Sequence, residues 1–206
     1  MPETTTLLES ICLKDGQMPL LPFHQERVNR SRRQLFGIKQ QLNLSRFLQN
    51  QALPTSGYHK IRLIYSRSIK AFSCIPYQPK PVQTLRIVAT EPIEYRYKFE
   101  DRKALETAFS YRNGCDDVII TWNGYLTDVS YGNLALWDGQ KWWTPAHPLL
   151  KGVRREQLIR SGKITPTIIR VPDLQYFKEV RIINALLPLE DSPSIPVTQI
   201  FLPRQY

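Results

Sequence analysis

Alternating hydrophobic and polar positions predict short strands and helices through the first half of the chain. Leu7 to Leu13 is typical of a strand, Asp15-Gly16 of a turn, and Met18 to Leu21 of a second short strand. Pro22 to about Leu35 has helical spacing, with Gly37 as its stop signal. Further elements are a helix from Leu44 to Gln51 capped by Asn43 or Ser45, strands at Lys60 to Arg67 and Thr84 to Thr90, and an irregular stretch from Phe72 to Pro81.

Hairpin signals dominate the second half. Arg102 to Asn113 is predicted as a helix, and Asn123-Gly124 as the turn of a hairpin. The other predicted strands are Val118 to Thr121, Tyr125 to Val129, Leu134 to Trp137, Trp142 to Pro145, Thr167 to Val171, Glu179 to Asn184 and Val197 to Phe201, with helices at Val153 to Ser161 and Asp173 to Phe177. This mixed order predicts the α+β class. A change of composition near Glu91 predicts an N-terminal domain over 1–90, a linker over 91–97 and a C-terminal domain over 98–206.

Composition narrows the class of protein. With 42% hydrophobic and 22% charged residues in 206, the chain has the make-up of a folded globular protein rather than a disordered tail. It lacks the roughly 20 consecutive apolar residues of a membrane span, and its first residues lack a signal-peptide pattern, so we expect a cytoplasmic protein. Three cysteines without C-x-x-C spacing and three dispersed histidines predict reduced thiols and no metal site.

The net charge of +10 raises the question of a nucleic-acid partner. The clearest basic run, Arg27 to Arg33, lies on the first predicted helix. Such a helix face is more often solvated, or attractive to anionic metabolites, than a nucleic-acid footprint. Because no RRM, KH or zinc-finger module is present, we expect a small-molecule substrate and neither nucleic acid nor membrane as partner.

Two motifs in order suggest a family. Leu8-Glu9-Ser10-Ile11-Cys12, followed after a turn by His24-Gln25-Glu26-Arg27, resembles the Phe-Glu-Thr-Ile-Arg strand and His-x-x-Arg-Leu segment of the class IV, or fold-type IV, pyridoxal-phosphate-dependent aminotransferases. Lys98-Phe99-Glu100-Asp101-Arg102 is similar to the family's Lys-x-x-Asn-Arg, with Asp101 in place of the usual asparagine. The resemblance implies that Arg27 grips the cofactor phosphate and that Lys98 holds the cofactor as a Schiff base and later shuttles the Cα proton.

Three more motifs extend the resemblance over nearly the whole chain. Thr127-Asp128 to Asn133-Leu134 resembles Thr-Glu-x-x-x-x-Asn-Leu, and implies that Asp128 keeps the pyridine nitrogen protonated, although it is one methylene shorter than glutamate. Pro148-Leu149-Leu150-Lys151-Gly152-Val153-Arg154 resembles Leu-Pro-Gly-Ile-Thr, which implies that Leu150 packs on the ring and that Gly152, Val153 and Arg154 bind the phosphate through backbone N–H groups at a helix N-terminus. Val180 to Pro188 resembles the C-terminal segment of aminodeoxychorismate lyases, and implies that Asn184 and Ala185 lie near phosphate or substrate.

The resemblance weakens on the substrate side. Family members carry an additional N-terminal segment before the first motif, Cys12 replaces an arginine, and Ser68 to Phe72 replaces a Gly-rich substrate loop. Arg62, Arg67 and Lys70 are candidates to bind an anionic substrate. The family resembled includes branched-chain and D-amino acid aminotransferases and 4-amino-4-deoxychorismate lyases, and this chain is similar to an N-terminally shortened member.

The resemblance therefore implies a two-domain α+β enzyme, with a small N-terminal α/β domain and a larger C-terminal mixed β domain, assembled as a homodimer. Its reaction is either transamination or lyase-type elimination, on an amino acid or an amino-chorismate-like substrate. A second hypothesis is a cofactor-binding paralogue with little turnover. A third, a basic nucleic-acid adaptor, predicts salt-sensitive oligonucleotide binding and no cofactor chromophore.

Overall fold

The computed structural model describes residues 5–202, and these residues form two compact units. The first unit contains the residues up to Pro79 together with Tyr97–Asp101, and the second contains Lys80–Arg96 and the residues from Arg102 onward. The predicted domain limits, with a linker at 91–97, divide the chain differently and stay a prediction. Among residues 5–202, no helix has the length and apolar character that crossing a bilayer requires.

The first unit is a three-stranded antiparallel sheet with two helices. Its strands are β1 (Leu7–Lys14), β2 (Tyr58–Tyr65) and β3 (Ile69–Pro76), in the order β1-β2-β3, and its helices are α1 (Leu21–Phe36) and α2 (Leu44–Gln49). Alternate β1 side chains, among them Leu7 and Ile11, enter the apolar clusters that also hold Leu63 and residues of both helices. Because strand side chains alternate between faces, Glu9 lies on this same buried face.

Helix α1 begins and ends as its sequence predicts. A proline stands at its start, where a missing N–H costs nothing, and Gly37 ends it in the left-handed conformation with φ 68°. The basic run is solvated only in part, because Arg30 and Arg33 are exposed whereas Arg27 and Arg32 are buried. The guanidinium of Arg32 donates to the carbonyl oxygens of Arg67 and Gln40 at 2.7 Å each, so it fixes the two loops that flank it.

The second unit is built on a nine-stranded sheet. Its central path runs β11-β10-β7-β6-β5-β4-β12, and β8 pairs with β7 and with β9. The strands are β4 (Leu85–Ala89), β5 (Asp117–Trp122), β6 (Tyr125–Val129), β7 (Asn133–Trp137), β8 (Trp142–Pro145), β9 (Ile164–Thr167), β10 (Glu179–Ile183), β11 (Ile195–Pro196) and β12 (Ile200–Phe201). The helices are α3 (Lys103–Ser110), α4 (Val153–Arg160) and short 3-10 turns at Val171–Tyr176 and Val197–Gln199.

Three predicted strands are wrong in whole or in part, and part of one stretch predicted to be irregular is a strand. Met18 to Leu21 forms a turn into α1, because Pro19 cannot donate to a strand ladder and the Leu21 N–H bonds to the carbonyl of Met18 at 3.0 Å. Phe72 to Pro76 belongs to β3 although it was predicted irregular, since an edge strand tolerates the proline that ends it. The strand predicted at Thr167 to Val171 instead ends at Thr167. At Val197 to Phe201, only the last two residues form a strand.

Candidate active site

Lys98 lies against the first strand of the first unit. Its carbonyl oxygen accepts a hydrogen bond from the Leu8 N–H at 2.8 Å, and Leu7 and Phe99 form an antiparallel bridge beside it. The segment around Lys98 therefore continues the sheet past β1, next to the buried side chain of Glu9. Lys98 itself is half-buried.

Three buried polar side chains meet beneath this edge of the sheet. The carboxylate of Glu9 accepts Arg27 Nε on one oxygen at 2.8 Å, and Arg27 Nη2 and His24 Nδ1 on the other at 2.5 Å each. Glu9 and His24 are 0% exposed and Arg27 is 5% exposed. We call this set the Glu9–His24–Arg27 cluster.

The charges of this cluster follow from burial and contact. Burial alone would raise the pKa of Glu9, but the charge of Arg27 and the hydrogen bonds from both partners lower it to about 2. Burial lowers the pKa of His24, Glu9 opposes that effect, and the positive charges of Arg27 and Lys98 reinforce it. Glu9 is thus an anion paired with the Arg27 cation at neutral pH, and the Lys98 charge acts on the same cluster.

The candidate substrate residues of the first unit separate into two groups. Arg62 forms an ion pair with Glu100 at 2.9 Å, and Glu100 also accepts the Thr6 hydroxyl at 2.8 Å, so Arg62 lies beside the segment that carries Lys98. Arg67 and Lys70 have exposed side chains at the β2–β3 turn. The structure therefore places Arg62 beside the Lys98 segment and leaves the side chains of Arg67 and Lys70 exposed.

In the second unit, Asp128 is the centre of a buried hydrogen-bonded group. The Asn133 amide donates to one of its carboxylate oxygens at 2.7 Å, and the Leu150 N–H donates to the other at 2.9 Å. The same Asn133 amide also donates to the Leu150 carbonyl at 2.8 Å. We call Asp128, Asn133, Leu150 and Gly152 the Asp128 cluster.

Glycine is required at position 152 by the close approach of Asn133. A Cβ built on Gly152 would overlap the Asn133 side-chain oxygen, whereas Gly152 has an ordinary backbone with φ −67°. The glycine is the N-cap of α4, and no side chain caps that helix. The first-turn N–H groups of Val153 and Arg154 therefore point out at a helix N-terminus, where the helix dipole favours an anion.

The surroundings of Asp128 bring the pKa of its carboxyl group close to neutral pH. Burial raises its pKa to about 7, against the hydrogen bonds from Leu150 and Asn133 and the positive charge of Arg155. Arg155 is itself buried and donates to the Thr144 hydroxyl at 3.2 Å and to the Pro145 carbonyl at 2.8 Å. These contacts set the position of a cation whose charge acts on Asp128.

Asn184 and Ala185 lie at the end of β10, close to the same cluster. Ile183 pairs with Asn133, and a Cβ on Gly132 would stand 2.9 Å from the Ile183 carbonyl oxygen. The backbone segments that contain Gly132 and Ile183 are therefore in direct contact. The Asn184 side chain accepts the Leu186 N–H at 2.8 Å and thereby closes a turn. Ala185 is buried at that turn.

Each unit thus assembles part of the predicted site within itself. The first holds Arg27, Lys98 and Arg62, and the second holds Asp128, Leu150, Gly152, Val153, Arg154, Asn184 and Ala185. The sequence alone offered no reason to assign a role to Glu9, His24, Asn133 or Arg155, although the first three stand inside the quoted motifs and Arg155 directly follows one of them. A charged residue at an alternate position of an apolar strand, as at Glu9, is the signal that could have found the first of them.

Comparisons with known proteins agree on one family. The model of the amino-transferase class IV family matches residues 6–200. An uncharacterized protein of Haemophilus influenzae is 36% identical over 183 residues, which cover 87% of this chain and 97% of that protein. The crystal structure of a candidate 4-amino-4-deoxychorismate lyase from Haemophilus somnus 129pt is 31% identical with a TM-score of 0.84, over 92% of this chain and 100% of that one.

A more distant structure shares the fold. A hypothetical aminotransferase from Mycobacterium tuberculosis in its PLP-bound form is 17% identical with a TM-score of 0.75, over 97% of this chain and 84% of that one. The predicted α+β, fold-type IV architecture and the predicted membership of the class IV family are confirmed. The chain belongs to the amino-transferase class IV family of enzymes, and its cofactor is pyridoxal phosphate.

Proposed function

We propose that this enzyme carries out elimination of the 4-amino-4-deoxychorismate lyase type, releasing pyruvate from an amino-chorismate-like substrate, with Lys98 as its catalytic residue. Transamination of an amino acid is the other reaction open to the family. The preference rests on the name of the 31% identical structure and on the lyase-like segment from Val180 to Pro188.

The Asp128 cluster is the observation that carries the cofactor chemistry of this proposal, which elimination and transamination share. A pyridine ring needs an anionic partner for its nitrogen, and the phosphate needs N–H donors. A carboxylate has about four lone-pair sites. Asp128 accepts hydrogen bonds from the Asn133 amide on one oxygen and the Leu150 N–H on the other, and a further one from the Leu149 backbone. Gly152 opens the uncapped start of α4 directly after Leu150. The ring nitrogen and the phosphate of the cofactor therefore both fit the residues present.

The proposed roles follow from the chemistry of each group. Bound pyridoxal phosphate supplies an electron sink for negative charge at the substrate Cα. The Lys98 amine accepts and returns the Cα proton, and the Asp128 carboxylate keeps a proton on the ring nitrogen. Arg27 and the N–H groups of Val153 and Arg154 bind phosphate, Leu150 packs on the ring, Asn184 and Ala185 lie near it, and Arg62 attracts the substrate carboxylate.

A first experiment tests attachment of the cofactor to Lys98. The purified protein is titrated with pyridoxal phosphate while visible absorption is recorded, then reduced with borohydride, digested and analysed by mass spectrometry. We expect the added mass on the peptide that contains Lys98 and no visible band in Lys98→Ala. The matched control is Lys39→Ala, an exposed lysine of the same unit, which should behave as the wild type. Labelling elsewhere, with Lys98 unmodified, contradicts the proposal.

A second experiment separates the reactions. The loaded enzyme is given 4-amino-4-deoxychorismate, and pyruvate is followed by its reduction with lactate dehydrogenase; in parallel, amino acids are offered with a 2-oxo acid acceptor. Pyruvate release that is lost in Lys98→Ala supports elimination. Amino transfer without pyruvate release contradicts the lyase proposal. Cofactor binding without either reaction identifies a paralogue with little turnover, which is the alternative function.

Three further properties remain proposals from the family resemblance and the sequence. We propose a homodimer, which light scattering coupled to gel filtration tests through the molar mass. We propose the two-domain division with a linker at 91–97, which limited proteolysis tests through the position of the first cut. A cytoplasmic location stays a prediction, tested by cell fractionation.

A further inference from the structure

The Glu9–His24–Arg27 cluster contains two side chains, Glu9 and His24, to which the proposed function gives no role. They lie between the apolar positions of β1 and α1, where Leu7, Ile11 and Val28 are also fully buried. His24 Nε2 has no hydrogen-bond partner within the described residues, and it is buried. A buried ring nitrogen left unsatisfied carries a desolvation penalty, so such a group calls for an explanation.

Stability alone does not explain this cluster. Well-packed apolar side chains in place of a buried ion pair are often neutral or stabilising, because both charges lose their hydration on burial. The cluster also sits in a strand whose neighbouring buried positions are leucine and isoleucine. What the ion pair provides, and apolar packing does not, is a fixed direction for the guanidinium.

Glu9 fixes Arg27 through two contacts. A guanidinium is a planar fork of five N–H donors, and two of those donors, on Nε and Nη2, go to the two Glu9 oxygens at 2.8 and 2.5 Å. This bidentate contact sets the plane of the fork and therefore the direction of its remaining donors. His24 Nδ1 contacts the same Glu9 oxygen as Nη2, at 2.5 Å, and so holds the carboxylate from its other side.

We propose that Glu9, held by His24, is a positioning residue that orients the Arg27 guanidinium, and that recognition of the cofactor phosphate depends on it. This inference rests on the proposed function, because it takes Arg27 as a phosphate ligand. Glu9 touches neither cofactor nor substrate. It acts through Arg27. Its removal should therefore weaken the binding of a ligand that carries a phosphate and leave the binding of the same ligand without phosphate unchanged.

The experiment compares two ligands that differ only in that group. Pyridoxal phosphate and pyridoxal are titrated separately into the full-length protein, and the dissociation constant of each is taken from the visible absorption. Arg27→Leu establishes the size of the Arg27 contribution. Glu9→Gln is the main variant, since a carboxamide offers one acceptor oxygen to the three hydrogen bonds that Glu9 accepts. The matched control is Glu26→Gln, an exposed glutamate on the same helix as Arg27.

We expect Glu9→Gln to raise the dissociation constant of pyridoxal phosphate by about tenfold or more, which is the effect expected when hydrogen bonds to a charged group are lost. Pyridoxal affinity should stay unchanged, and Glu26→Gln should leave both constants unchanged. A second pair of variants keeps the test valid if Glu9→Gln folds poorly. We define phosphate selectivity as the ratio of the dissociation constant of pyridoxal to that of pyridoxal phosphate. His24→Asn retains an N–H donor near Nδ1 and should preserve this selectivity, whereas His24→Leu should reduce it.

The outcomes separate this inference from the proposed function. If the wild type binds neither ligand, or if Arg27→Leu leaves phosphate selectivity unchanged, the assignment of Arg27 as a phosphate ligand fails, and the inference fails with it. If Arg27→Leu removes that selectivity while Glu9→Gln and His24→Leu keep it, the proposed function stands and the positioning role is wrong. An equal loss of affinity for both ligands in Glu9→Gln and in His24→Leu also overturns the positioning role, because the effect is then not specific to the phosphate.

Discussion

Substituting Gly152 by alanine should destabilise the second unit through one identified side chain. The added Cβ would overlap the side-chain oxygen of Asn133, so the Asn133 amide must rotate away. Rotation breaks the bonds from Asn133 Nδ2 to Asp128 at 2.7 Å and to the Leu150 carbonyl at 2.8 Å. The backbone of Gly152, with φ −67°, is one that alanine adopts without strain, so the effect isolates the side-chain contact.

The magnitude follows from those two hydrogen bonds. A buried bond to a carboxylate contributes about 1.5–3 kcal/mol and a neutral one about 1 kcal/mol, so the clash should lower the free energy of unfolding by about 2–4 kcal/mol. Replacing a glycine N-cap by alanine adds up to about 1 kcal/mol. For a chain of this length the sum corresponds to a fall in Tm of about 4–20 °C.

The assay is thermal unfolding of the cofactor-free protein, followed by circular dichroism, in a double-mutant cycle. Asn133→Ala removes the oxygen that Gly152→Ala would meet, so in that background the alanine at 152 should lower stability only by the capping contribution of about 1 kcal/mol. Equal losses in both backgrounds would refute the steric argument. So would a single variant as stable as the wild type.

Two further predictions concern pH and charge. Burial raises the pKa of Asp128 from 3.8 to about 7, so its contribution to the free energy of unfolding is fully present below pH 3.8 and is lost as the pH rises through 7. Denaturant titrations without cofactor should show a decline of about 1.4 kcal/mol per pH unit in that window, which Asp128→Asn abolishes; an unchanged slope contradicts this. Glu9→Leu leaves Arg27 buried without its carboxylate and should cost about 3–5 kcal/mol, most of it recovered in Glu9→Leu/Arg27→Leu. Equal stability of the single and double variants in urea would contradict the pairing.

Local sequence signals predicted the elements whose ends are set by local chemistry. Helix α1 ends at Gly37 because only a left-handed residue closes it there, and the β5–β6 hairpin turns at Asn123-Gly124 with φ 49° and 77°. The predictions failed where distant pairing decides. Phe72 to Pro76 is held in β3 by its register with β2, which the proline-rich sequence does not reveal.

The same distinction explains which site residues could be foreseen. The proposed roles of Arg27, Lys98 and Asp128 come from motif resemblance, which carries roles between sequences. Glu9 meets His24 and Arg27 across 15 and 18 positions, and that contact depends on how α1 crosses β1. The net charge of +10 likewise overstates the exposed positive charge, since the side chains of Arg27, Arg32 and Arg155 are buried and donate hydrogen bonds within the protein.

The shorter carboxylate at position 128 is held in place by the turn that precedes α4. The resemblance implies glutamate there, and an aspartate should sit about one methylene further from any partner. In the structure, Asp128 is held by the backbone N–H of Leu150, two residues before Gly152, and by Asn133, which packs on Gly152. The position of the carboxylate is therefore tied to the turn that opens α4. A change at that turn should alter the carboxylate and the helix N-terminus together, so the proposed contacts to the ring nitrogen and to the phosphate are coupled within this unit.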